Sequence, residues 1–142
     1  AVDGGADADP QAIRAEADAA LRAYLPQLAA AYKEGDATLL TDYAAPKEIA
    51  SVAALVEQLA DRGQFYDNRL EQLTVEKTSA DRTTIYATVV ELWDVDVRAV
   101  GSEELVNSYE DLRYRVQYQL KRGDGELAER WLVYFRAVLE EP

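Results

Sequence analysis

The sequence predicts an α+β domain in which three N-terminal helices pack on a curved, four-stranded antiparallel meander. Three observations carry this. Apolar residues recur at three- and four-residue steps from Ile13 to Ala60. The period changes to two after Gly63 and stays there to the end of the chain. Turn residues divide that second half into four long strands.

Asp9-Pro10 supplies an N-cap and a first-turn proline for helix one, about 10–34. Ile13, Ala17, Leu21, Tyr24, Leu28 and Tyr32 form its apolar stripe. Pro26 lies inside it and predicts a kink near Arg22 or a break into two segments. Gly35 ends the helix, and Asp36 can cap a short second helix carrying Leu39, Leu40 and Tyr43. Pro46 opens the third, whose buried face reads Ile49, Val52, Ala53, Val56, Leu59 and Ala60, with Gly63 as the stop.

Strand one falls within about 65–78, and Ala80-Asp81 makes a turn. Strand two, about 83–98, places Ile85, Ala87, Val89, Trp93, Val95 and Val97 on one parity with Glu91 among them. Strand three, 108–122, alternates Leu112, Tyr114, Val116, Tyr118 and Leu120 with Arg113, Arg115, Gln117, Gln119 and Lys121. Gly123-Asp124-Gly125 is a hairpin signal. Strand four, about 128–140, sets Trp131, Val133, Phe135, Ala137 and Leu139 against Leu132, Tyr134, Arg136 and Val138. One apolar sheet face and matching helix stripes call for a two-layer domain over 10–142, preceded by a flexible acidic linker at 1–9.

Composition excludes several functions. The net charge is −12, with 27 acidic and 15 basic residues, a field that repels phosphate backbones and argues against nucleic-acid binding. No apolar run nears the roughly 20 residues needed to span a bilayer, so direct membrane insertion is not expected. His, Cys and Met are all absent. That removes Ser-His-Asp and Cys-His nucleophile systems, Cys/His metal centres and haem ligation by these residues. No cofactor or metal site is expected. Asp94 and Asp96 with Glu103 and Glu104 could gather calcium, but the spacing lacks a calcium loop and reads as a solvated acidic edge. A start without Met in a small, acidic stretch predicts an extracytoplasmic chain released from a tether; a cytoplasmic piece is the alternative.

The strand patterns carry a resemblance. Ala87-x-Val89-x-Glu91-x-Trp93 is followed by Tyr114, Val116, Tyr118 and Leu120 at alternate positions, then Gly123-Asp124-Gly125 and a strand with Trp131. With the helices-then-meander order, this resembles the NTF2-like (cystatin-like) superfamily. It resembles more closely the intermembrane-space domain of plastid and cyanobacterial division proteins. The resemblance implies a cone of sheet wrapped round helices. It also implies one of two roles: a small-molecule or acid–base site in the cone, or a filled cone serving as an interaction module.

Two surfaces compete for function. Glu91 on the core parity would be costly unless paired, and burial could tune it as a general base. The structural alternative is a Glu bonded to a Tyr, an Arg or helix N–H groups. Tyr43, Trp93, Tyr118 and Trp131 could line a pocket with Glu91, and Asp42 could join as a second acid–base group; the plainer reading is that these aromatics are core. On the outer face, Arg115, Gln117 and Gln119 run between Tyr86, Val90 and Leu92 on one side and Leu132, Tyr134 and Arg136 on the other. Aromatic, aliphatic and Arg side chains together suit an interface, a homodimer or a protein partner, better than a face meant for water. The expected function is therefore a non-enzymatic interaction domain acting through this face. The alternative is a small-molecule binder or minor acid–base enzyme built round Glu91.

Overall fold

A computed structural model describes residues 9–142. The elements are α1 (Pro10–Glu34), a 3-10 turn (Ala37–Leu40), α2 (Pro46–Asp61), β1 (Gln64–Ala80), β2 (Thr84–Ala99), β3 (Leu105–Arg122), a second 3-10 turn (Gly125–Leu127) and β4 (Trp131–Glu140). The strands form one sheet in the order β1-β2-β3-β4, antiparallel throughout. The linker expected at 1–9 lies outside the described residues except for Asp9, whose carboxylate accepts from the Gln11 amide at 3.0 Å and caps α1.

The helix count corrects the expectation: among the described residues there are two α-helices, not three. The expected middle helix is a single 3-10 turn capped by Asp36. Its continuation is pulled away by β4. The Val133 amide donates to the Tyr43 carbonyl at 3.0 Å, and the Ala45 amide donates to the Val133 carbonyl at 2.8 Å. Pro46 also holds Ala45 extended, at φ −72° and ψ 155°, which forbids a helix running into it. Apolar spacing in this stretch marked burial of Ala37 and Leu40 rather than helical length.

Pro26 does not divide α1. An interior proline costs about 3 kcal/mol. Leu21, Leu25 and Leu28 are all buried around it, and each returns about 1.5–3 kcal/mol. Packing therefore outweighs the missing backbone bond. The core lies between α1, Leu40 and the inner sheet row Val89, Val116, Tyr118, Leu120 and Val133.

The inner row of β4 departs from strict alternation. Leu120 pairs with Val133 and Gln119 with Phe135, so Tyr134 is an extra residue in a β-bulge. Beyond it the parity inverts. Phe135 stands opposite Gln119 on the outer face, and Arg136 stands opposite Tyr118 on the inner one. Phe135 was expected inside and Arg136 outside; one inserted residue exchanges them.

The sheet edges are blunted in part. Along β1, Arg14 of α1 donates to the carbonyls of Val75 and Glu76, and Arg22 donates to that of Leu73 at 3.2 Å. The first residues of β4 are covered by the Tyr43–Ala45 bridge.

Candidate functional site

Glu91 sits at the middle of β2, with no exposed surface. Its neighbours come from three strands. Trp93, two residues along the same face, donates its indole N–H to Oε1 at 2.8 Å. Tyr118 of β3 donates its hydroxyl to Oε2. Arg136 of β4 donates Nη2 to Oε1 at 3.1 Å and Nε to the Tyr118 hydroxyl at 2.9 Å. Both carboxylate oxygens are thus engaged by protein groups, and the buried ion pair is satisfied by hydrogen bonds as burial demands. Burial alone would lower the Arg136 guanidinium, but Tyr118 and Glu91 outweigh it and hold the group well above the ordinary arginine value. Burial raises the Tyr118 hydroxyl well above its usual range, so it stays a donor.

A second pair stands behind the first. The Tyr24 ring of α1 packs edge-on against Tyr118, with centroids 6.4 Å apart at 76°. Its hydroxyl donates to Glu48 Oε2 of α2 at 3.0 Å. Burial raises the Glu48 carboxyl, more than the Tyr24 hydrogen bond and Arg136 lower it. A raised carboxyl contributes stability in full below its unfolded value, and that contribution is lost as pH rises through its folded value. The variant Glu48→Gln keeps an acceptor for Tyr24 without the charge. It should melt at a higher temperature than the parent at pH 8, with the difference shrinking as pH falls into the carboxyl range. Calorimetry across that range checks this, and equal melting curves at both ends would refute it.

The residues expected to share one pocket do not all meet. Glu91, Trp93 and Tyr118 meet, joined by Arg136. Trp131 lies elsewhere: its indole donates to Glu16 Oε2 at 2.9 Å, and Arg122 stacks over the ring at 4.4 Å. Tyr43 packs under Arg130 at 4.6 Å, and Asp42 is exposed in the loop before α2. What remains of the cone is a cavity of about 180 Å³ between Leu28 and Leu55 of the helices and Trp93, Tyr114 and Arg136 of the sheet. Asn68 reaches it with a buried Oδ1 that has no hydrogen-bond partner. Asp94 and Asp96 do not gather as a cation site. Asp96 pairs with Arg69 and Arg98 at 3.2 Å each, and Asp94 accepts from the Asp111 amide.

The outer face is built of cross-strand rows. Tyr86, Gln119 and Phe135 form one, Thr88, Gln117 and Ala137 a second, and Val90, Arg115 and Glu140 a third. Leu92 flanks the third row, and Leu132 lies opposite Lys121. Lys121 sits 4.0 Å over the ring of Tyr134. Arg115 reaches Glu76 at 2.9 Å and Glu140 at 3.7 Å. The helices pack on the opposite face, against the inner core row. Relative to alternation, the Tyr134 bulge removes a guanidinium from this face and adds a phenyl ring. Parity could not reveal Arg136 as the partner of Glu91. The one available signal was the need of a core carboxylate for a cation.

No family model matches the chain, and no curated protein matches it. Among solved structures, it is similar to the intermembrane space region of the chloroplast protein ARC6. The two are 15% identical with a TM-score of 0.70, over 92% of this chain and 96% of that one. At this identity the likeness shows the fold. It supports the expected resemblance to an intermembrane-space domain in fold and does not reach the wider NTF2-like superfamily. Among the described residues, no helix is long and apolar enough to cross a membrane.

Proposed function

We propose that the chain is a non-enzymatic protein-interaction domain working through the uncovered face of its sheet, in an extracytoplasmic setting. The observation that carries this reading is the outer face itself. Tyr86, Val90, Leu92, Leu132, Tyr134 and Phe135 surround the polar strip Arg115, Gln117 and Gln119, and among the described residues no layer of the fold lies over them. Exposed Tyr134 and Phe135, at 40% and 37%, give the patch aromatic anchors of the kind that dominate interfaces. Likeness to an intermembrane-space region supports the setting. The occupant is a second copy or a protein partner.

The engagement of both Glu91 oxygens weighs against acid–base chemistry there, because a base needs a lone pair within reach of its substrate. The small-molecule reading retains one supporting observation, the orphan Asn68 oxygen in the inner cavity. That cavity, at about 180 Å³, is below the roughly 300 Å³ at which ligand pockets begin.

Val90→Arg and Tyr134→Glu should each weaken association by about tenfold to a hundredfold while leaving the melting temperature near that of the parent. Sedimentation equilibrium reads self-association. A photo-crosslinker placed at Leu92 in the native host reads a partner. A chain that stays monomeric and gives no crosslink from Leu92 overturns the proposal. A persistent small-molecule adduct in the native mass spectrum, lost in Arg136→Lys, would instead favour the cavity.

A further inference from the structure

The outer face is charged in two unlike halves. Asp94, Asp96 and Arg98 continue the parity of β2 that holds Tyr86, Val90 and Leu92. In this half Arg69 and Arg98 are matched by Asp67 and Asp96 at 3.2 to 4.0 Å. Glu71, Asp94 and Asp111 lie beside them and make no ion pair among the described residues. They crowd one another. The Asp111 amide donates to Asp94 Oδ1 at 2.9 Å, and the Glu71 carboxyl is held above its usual range by its hydrogen bond with Asp94 and then by the charge of Asp94.

The other half has the opposite excess. Arg113 and Arg115 are matched there by Glu140 and Glu76. Lys121 lies over the Tyr134 ring, and Lys77, exposed opposite Thr88, makes no ion pair among the described residues. The two excesses are evenly placed. Along β2, Thr88 and Asp94 each stand three residues from Glu91, about 10 Å to either side. Near that midpoint the face has a hollow of about 210 Å³ among Gln72, Thr74, Val90, Leu92 and Arg113, which lets aliphatic side chains interdigitate across a contact.

We propose that the outer face pairs with a second copy of this chain about a two-fold axis lying across the strands, so that Lys77 of each copy meets Glu71 and Asp94 of the other. This rests on the reading of the face as the interface and names its occupant. An axis along the strands would set like charges on like; an axis across them sets each excess on its opposite. Three to four strands about 4.8 Å apart, over the roughly ten residues from Tyr86 to Asp96, offer about 550 Å² per copy, and about 1,100 Å² in all clears the roughly 1,000 Å² expected of a specific interface. The net charge of −12 opposes approach from a distance. At physiological salt charges more than about 8 Å apart are screened, so the contacts across the face decide the outcome.

The test is a charge exchange read by sedimentation equilibrium of the whole chain. Glu71 and Lys77 are both exposed and six positions apart on β1, about 20 Å, too far to pair within one chain. Glu71→Lys and Lys77→Glu each bring like charges together twice in the pair and should weaken self-association about tenfold. Carried by one chain, the two substitutions exchange the charges and should restore association to within about twofold of the parent. Melting curves of all three variants serve as the folding control. A double variant as weak as the singles overturns the pairing. So do single variants that associate as the parent does while Val90→Arg dissociates it, or a monomeric parent whose Leu92 crosslinks a different protein; both of these leave the face as the interface. A monomer that gives no crosslink from Leu92 removes the pairing and the face together.

Discussion

Replacing Arg136 with methionine should destabilise the domain by about 3–5 kcal/mol, the cost of leaving a buried carboxylate without its counter-charge. Glu91 has no exposed surface through which water could compensate. Trp93 and Tyr118 still donate to it, but neither brings a positive charge. Urea denaturation reads the effect directly. With a slope of about 1–3 kcal/mol per molar, the midpoint should fall by more than 1 M. The informative control is Glu91→Leu on top of Arg136→Met. Removing both charges should recover most of the loss, because a well-packed apolar pair can match or exceed a buried ion pair. Loss of less than about 1 kcal/mol in the single variant would mean that Glu91 finds another partner.

Leu25→Ala is the second large effect, expected at about 2–5 kcal/mol with the spread set by how far the cavity collapses. Leu25 is fully buried and stands next to Pro26, where α1 lacks one backbone hydrogen bond. The helix there is held by its contacts with the sheet, so removing the side chain takes away what offsets the proline. Calorimetry should show a lower melting temperature with the transition still cooperative. A cost below 1 kcal/mol would indicate that the helix is secured mainly by its own hydrogen bonds. The companion Pro26→Ala should then be the more informative change.

Most of the architecture could be read from period and punctuation. Asp9-Pro10, Gly35, Pro46 and Gly63 bound the two real helices, because caps and breakers act locally. Four strands follow from alternation, and Glu91 could be placed in the core from the parity of its neighbours. Three things could not be read. The middle helix failed because Tyr43–Ala45 is recruited by Val133, a residue about ninety positions away. Arg136 was assigned to the wrong face because the bulge at Tyr134 has no sequence mark of its own, such as a glycine. Trp131 was grouped with Glu91 because alternation gives the face of a sheet but not the position along it, and Asp42 and Tyr43 because they were read on the helix that does not form.

The capped edges bear on how large an assembly this chain can build. Arg14 and Arg22 occupy carbonyls along β1, and Tyr43–Ala45 covers the start of β4. Growth by adding strand to strand is therefore obstructed along those stretches of the two margins. Contacts through one broad surface have a valence of one. A second copy meeting there closes a pair about a two-fold axis and leaves no sticky end. Crowding many copies together would then yield discrete pairs whose number scales with concentration, rather than filaments whose length does.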